Sequence, residues 1–337
     1  MLALSLLLNF QQAVSRVLHG KNVSSTHTHN TYGPRLEEVT IKESDVASRN
    51  KIAVIPIEGV ISGDAIERSE YNMVTVIKEE LNRADEDKDV KAVVLKVNSP
   101  GGEVLASDEI AKMIGEFQEK SSKPVIVSMG SLAASGGYYV SAPCQWIVAN
   151  ELTITGSIGV IMHGYNYRGL LDKIGVRPEV FKSGKYKDML SGSKSPEEIT
   201  PEEKQMVQAL IDETYGKFKS VVAEGRQAAY QSNKQQGKML NQDWADYADG
   251  RILSGKEAFK LGFVDELGDF EVAVKRAKLL ANIKQAELVE YRPVFDIGNL
   301  FRMFGQSNAK SVKVELGVDL PRLHAGYLYF MMPTYLQ

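Results

Sequence analysis

The chain has 337 residues, 43% hydrophobic and 25% charged, which excludes a largely disordered polypeptide, a collagen-like repeat and a multi-pass membrane protein. Forty Lys and Arg against 43 Asp and Glu leave a formal charge of -3, without the basic excess that a nucleic-acid binder needs to neutralise phosphates. One cysteine, Cys144, excludes an internal disulfide, a zinc finger and a CxxC redox pair, so the core holds by packing alone.

The first segment, residues 1–47, is an arm. Residues 1–8 form an apolar stub interrupted by Ser5, far short of the roughly 20 residues that span a bilayer. No basic region precedes the stub and no small-residue cleavage site follows it, so it does not read as a signal peptide. Residues 11–22 can extend it as an amphipathic helix, and the readings are a helix packed on protein, a peripheral anchor at a membrane interface, or the stub of a longer anchor lost upstream. Residues 23–35 read as a polar linker, with His27 and His29 as spacer and not as metal ligands.

From 48 to 292 the pattern is strand then helix, repeated. Apolar runs at 51–61, 90–97, 124–130, 146–149 and 154–160 read as buried strands, with another near 178–182. Helical spacing covers 71–84, 103–119, 131–142 and 165–174. A long helix opens at Thr200-Pro201-Glu202-Glu203 and runs to about 229, with Met206, Leu210, Phe218 and Val221 on one stripe and a break expected between Gly225 and 240. A short strand and a helix capped by Ser254 follow within 248–268. Continuous apolar strands separated by helices imply an α/β fold with a mostly parallel sheet covered on both faces. Residues 293–337 are a Gly-punctuated, aromatic extension ending in GYLYFMMPTYLQ, expected to dock on the body or on another subunit.

Two glycine pairs stand at strand ends, Asn98-Ser99-Pro100-Gly101-Gly102 and Ala133-Ala134-Ser135-Gly136-Gly137. Such turns present bare N–H groups above the carboxyl edge of a parallel sheet, and two of them can form an oxyanion hole. Ser135 lies among small residues at a helix start, which leaves its hydroxyl approachable. A serine in that place is ordinarily a cap, and a nucleophile needs a base. Only His163 of the five histidines lies in the body and no HExxH motif occurs, so a Ser-His-Asp triad and a metalloprotease are both poorly supported. The remaining base is a lysine, which acts only when desolvation keeps it neutral near pH 7–8. Lys182, Lys185 and Lys187 in FKSGKYKD are all available, and pattern does not choose among them.

The motifs NSPGG (98–102), SLAASGGYY (131–139), TGSIGV (155–160), KSGKYKD (182–188) and ADGR…GFVDELG (248–268) together resemble the signal peptide peptidase A family of bacterial serine proteases, in its short single-domain form. The resemblance spans about 50–292. It implies the spiral of ββα units shared by caseinolytic-type protease subunits and crotonases, flanked here by an N-terminal arm and a C-terminal tail. It implies a Ser-Lys dyad, with Ser135 as nucleophile, Lys187 as general base, Ser157 holding the lysine amine, and the N–H groups of Gly102 and Gly136 as the oxyanion hole. No cofactor or metal is implied.

The resemblance further implies cleavage of remnant signal peptides and other unfolded or membrane-associated polypeptides. An extended substrate would pair with a strand edge beside the glycine turns. Homo-oligomers are expected, with active sites near subunit interfaces where serine and lysine can come from adjacent copies. The implied setting is the bacterial cell membrane, with the site on its extracytoplasmic side, although the usual transmembrane anchor is not visible. Two other readings stand beside this one: a catalytically silent membrane-associated scaffold of the same fold, and a crotonase-like acyl-CoA enzyme, which would have no use for Lys187.

Overall fold

The computed structural model describes residues 33–44, 48–64, 71–294 and 328–331. The apolar stub, the 11–22 helix, His27, His29 and most of the C-terminal extension lie outside the described residues. Strands are β1 (Leu36–Lys42), β2 (Lys51–Glu58), β3 (Val90–Ser99), β5 (Val125–Ala133), β6 (Trp146–Ala149), β10 (Glu266–Leu267) and β11 (Glu287–Pro293), with β4 (Gly101–Glu103) following β3. The main sheet runs β1-β11-β2-β3-β5-β6-β10. All neighbours are parallel except the edge pair β1 and β11.

The alternation of side chains along β2 builds two cores. Ala53, Ile55 and Ile57 face helices α1 (Met73–Glu86), α2 (Val104–Ser121), α3 (Gly136–Ser141) and α5 (Pro201–Ser232), where Ile77, Ile110, Tyr138 and Phe218 are buried. Ile52 and Val54 face the opposite side, where Ala273, Val274 and Ala277 of α7 (Phe270–Leu280) cover them. The expectation of a mixed α/β fold with a largely parallel sheet, covered on both faces, holds.

Helix starts follow local chemistry. Asn72 Oδ1 accepts the Thr75 N–H at 2.8 Å to open α1, and Thr200 with Glu203 forms a capping box at α5. The break expected between Gly225 and 240 comes after Ser232, where α5 ends. The helix passes Gly225, where a Cβ would stand 2.6 Å from the Ala142 carbonyl oxygen. Glycine there permits close packing against the end of α3, and the backbone stays helical. Arg226, fully buried beside it, pairs with Asp265 and donates to the Cys144 carbonyl at 3.0 Å. Met206 and Leu210, assigned to the same stripe as Phe218, are 43% and 46% exposed.

Residues 178–182 form no strand. Val180 and Phe181 are exposed, Phe181 at 94%, and no neighbouring edge offers them a ladder. The segment carries only the short helix α4 (Arg168–Lys173). The apolar run at 154–160 is a strand only at β7 (Ile154–Gly156), which pairs with β5 and with β9 (Ile252–Ser254). Ser254 then caps α6 (Gly255–Leu261).

A second sheet lies over the glycine turns. Strand β12 (Leu328–Met331) runs antiparallel between β4 and β8 (Ile161–Met162), placing Phe330 opposite Gly102. Among the described residues no helix is long and apolar enough to cross a membrane.

Candidate active site

Strand β5 carries the chain to Ala133, and Ala134 and Ser135 turn it into α3. Ser135 holds φ 53° and ψ -116°, a backbone state that costs a residue with a Cβ on the order of 1–3 kcal/mol. Its neighbours over-determine it. Ala134 N donates to Ser99 O at 3.1 Å, Ser135 N to Gly156 O at 2.8 Å, and Tyr139 N to Ser135 O at 2.8 Å.

The side chain does nothing for the helix it precedes. Ser135 occupies the N-cap position but makes no capping bond. Its Oγ is buried and has no hydrogen-bond partner among the described residues. An unpaired buried hydroxyl is itself unfavourable by about 1–3 kcal/mol. The cap reading therefore fails, and strain and an idle hydroxyl coincide on one residue.

The two glycine turns meet beside it. A Cβ on Gly101 would stand 2.6 Å from Gly136 N, and one on Gly136 would stand 3.1 Å from Gly102 N and 2.7 Å from Ser107 Oγ. Only backbone without side chains fits. Gly101 has φ +98° and its N–H is held by Ser99 Oγ at 3.1 Å. Ile61 N donates to Gly101 O and Glu103 N donates to Ile61 O, which occupies one edge of β4. Strand alternation turns the Gly102 N–H to the other edge, where Phe330 is its antiparallel neighbour. The Phe330 ring stacks on Tyr139 (centroids 4.7 Å apart, 23° between planes) and meets Phe218 at 4.6 Å. Tyr139 in turn donates its hydroxyl to Asp108 at 2.7 Å. Burial raises the Tyr139 phenol, and the bond to Asp108 raises it further.

Ser157 follows Gly156, whose carbonyl holds Ser135. It has φ 50°, is buried, and donates its N–H to Arg251 O at 2.7 Å. Thr155 Oγ1 donates to Ala133 O at 2.6 Å, tying the same two turns again. Ser135, Ser157, Gly102 and Gly136 thus gather at one place.

No hydrogen bond joins Lys187 to Ser135 here. This lysine is exposed, its ammonium makes no hydrogen bond or ion pair with a described residue, and its backbone N donates to Gly184 O at 3.4 Å. Lys182 is committed to both oxygens of Asp188 at 2.7 Å, and Lys185 lies 4.8 Å from the Tyr186 ring centroid. Cys144 is buried, as a small hydrophobe would be, with its thiol pushed up by that burial. His163 packs edge-on against Tyr165. Among the described residues no three His, Cys, Asp or Glu side chains gather as a metal site would require.

Sequence reasoning missed the supports: Ser99 and Thr155, which fix the turns, and Phe330, which closes the aromatic cluster. Only the small residues flanking Ser135 hinted that two backbones would touch.

A family model described as Peptidase family S49 matches residues 117–284. A protein of Synechocystis sp. named as a protease is 38% identical over 274 residues, covering 81% of this chain and 90% of that protein. A protein of Enterococcus faecium named as signal peptide peptidase SppA is 38% identical over 261 residues, covering 76% of this chain and 71% of its own length. A protein of Methanocaldococcus jannaschii named as a protease is 43% identical over 211 residues, 63% of each chain. A solved mutant of the 1510-N membrane-bound stomatin-specific protease aligns at a TM-score of 0.39 and 17% identity, over 68% of this chain and 86% of that one.

Proposed function

The chain belongs to peptidase family S49, and from that premise we propose that it is a serine endopeptidase with Ser135 as nucleophile and Lys187 as general base. The observation that carries the reading is the Ser135 hydroxyl, buried, unpartnered and held on strained backbone against two converging glycine turns. Structural serines do not combine these properties, because both the strain and the idle hydroxyl cost stability. The scaffold this reading implies is the caseinolytic and crotonase-type spiral of ββα units.

In the proposed reaction neutral Lys187 Nζ takes the proton of Ser135 Oγ, and Oγ bonds to the carbonyl carbon of a peptide. The Gly102 and Gly136 N–H groups hold the resulting oxyanion. The C–N bond breaks as the departing amine takes the proton from Lys187. Water then attacks the acyl-enzyme, giving up a proton to Lys187, and collapse returns that proton to Ser135. Ser157 steadies the lysine amine.

Because Lys187 is exposed in the single chain, the lysine that serves Ser135 comes from a second copy. The arm that bears it supports this, since Phe181, Ile174, Leu170 and Val180 are 94%, 62%, 61% and 55% exposed there, apolar surface that a neighbouring subunit would cover. Substrates are remnant signal peptides and other unfolded or membrane-associated polypeptides. They bind extended along β4, as Leu328–Met331 of the chain itself runs.

Casein cleavage by wild type, Ser135→Ala, Lys187→Ala and a mixture of the two variants tests the reading. Each variant alone is expected to be inactive, and the mixture to recover part of wild-type activity through sites built from two copies. Equal cleavage by wild type and Ser135→Ala rejects the nucleophile. A silent scaffold would show no cleavage by any of the four.

A further inference from the structure

Between residues 161 and 200 only one residue is buried, and it is a lysine, Lys194. No apolar core holds this segment. Lys194 Nζ meets Glu203 Oε1 at 2.7 Å and Asp188 Oδ1 at 3.5 Å. Both oxygens of Asp188 also accept from Lys182, each at 2.7 Å. Glu203 Oε2 accepts the Thr200 N–H at 3.2 Å, so this carboxylate caps α5 with one oxygen and takes Lys194 with the other. The Lys194 carbonyl accepts from Asn166 Nδ2 at 2.9 Å. The bond to Glu203 raises the Lys194 ammonium. Asp188 and Glu203 are each held below the usual carboxylate range, Asp188 first by Lys182 and Glu203 first by Lys194.

We propose that Lys194, clamped between Asp188 and Glu203, is a positioning residue for Lys187. The inference rests on the reading of Lys187 as general base. Asp188 is the next residue after Lys187, so an ammonium that fixes Asp188 to the first turn of α5 fixes the backbone from which Lys187 projects. The long helix α5, through Phe218 and Arg226 in the core, transmits the rigidity of the body to an otherwise exposed loop. An apolar side chain at 194 would leave Glu203 without an ion-pair partner among the described residues, and Asp188 held by Lys182 within its own loop and no longer tied to α5, which frees the loop. Arg at 194 keeps the charge and can bridge both acids. Misplacement of a catalytic group by about 1 Å is enough to cost as much as 100-fold in turnover, so a loosened loop acts on kcat more than on KM.

The test compares the full-length protein with Lys194→Met and Lys194→Arg, following cleavage of a fluorogenic peptide and amide hydrogen exchange by mass spectrometry. Lys194→Met is expected to lower kcat by about tenfold or more with KM within about twofold, and to speed exchange over 182–192 while that of 125–149 is unchanged. Lys194→Arg is expected to restore both. Unchanged exchange in Lys194→Met overturns the clamp, as does faster exchange with kcat intact, or failure of arginine to rescue. Lys187→Ala is run beside them: cleavage that survives it removes the base assignment and the catalytic meaning of the clamp, whatever the exchange shows.

Discussion

The Ser135 N–H donates to the Gly156 carbonyl across 2.8 Å, so Ser135 and Ser157, the residue after Gly156, are fixed to each other without use of either serine's side chain. Both have positive φ, 53° and 50°. Neither serine owes its place to its own side chain, which leaves two hydroxyls for chemistry and makes their removal a clean experiment.

Replacing Ser135 with Ala removes no hydrogen bond and relieves a buried unpaired hydroxyl, so the thermal midpoint is expected to rise by a few degrees while casein cleavage falls by on the order of 1,000-fold or more. Ser135→Gly goes further, relieving the strain at φ 53° and stabilising the fold by about 1 kcal/mol in urea unfolding. A glycine variant that unfolds earlier than wild type contradicts the strain argument.

Gly102 and Gly59 separate packing from backbone freedom. A Cβ on Gly102 runs into the backbone of Ile61, whereas one on Gly59 (φ +77°) meets nothing within 4 Å. Gly59→Ala should therefore cost about 1–2 kcal/mol, the left-handed penalty alone. Gly102→Ala should cost over about 3 kcal/mol or prevent soluble folding. Similar costs for the two in denaturant titrations mean that the turn is looser than described.

Glu80 is 2% exposed on α1, and one of its oxygens has no partner among the described residues. Burial, with a smaller contribution from Glu290, raises its pKa from 4.5 to about 8. A raised carboxyl favours the fold while protonated. Its stabilisation is complete below the unfolded value of 4.5 and is lost as pH rises through about 8, a change of a few kcal/mol. Glu80→Gln should flatten that fall, raising the thermal midpoint at pH 9 while leaving it nearly unchanged at pH 5. A variant as pH-sensitive as wild type over this interval refutes the assignment.

Phe330 holds β12 on β4 through Tyr139 and Phe218. An aspartate at 330 cannot remain among these rings, so the strand leaves while the main sheet stands. If extended polypeptides pair with the same edge, Phe330→Asp lowers KM for a peptide substrate by about threefold or more, since a larger fraction of molecules offers the bare edge. A KM that holds or rises puts the binding edge elsewhere.

Much of this was legible in the sequence. Runs such as VKAVVLKV became β3 because both faces of a covered parallel sheet demand apolar side chains, and WIVA became β6 for the same reason. Ser135 stood out because LAASGGYY has too little bulk to keep backbones apart. What failed were properties set by distant partners. Residues 178–182 look like a strand, but no edge receives them. The end of α5 falls inside the expected interval, but its exact place after Ser232 was not legible, because Ala142 packs against Gly225 and the helix runs past it. The role of Leu328–Met331 depends on β4, which lies far earlier in the chain. Lys194 reads as one more surface charge until Glu203 and Asp188 close around it.

The order in which these pieces are synthesised matters for β4. Its outer edge is covered by residues translated long after it, and Tyr139 and Phe218 also precede by many residues the ring that packs on both of them. A message cut short anywhere between codons 294 and 328 would still encode the main sheet and both cores apart from Phe330, but would leave an open strand edge and two uncovered aromatic rings, the kind of surface on which chains associate. The ribosome must reach Phe330 before the molecule is safe from its own kind.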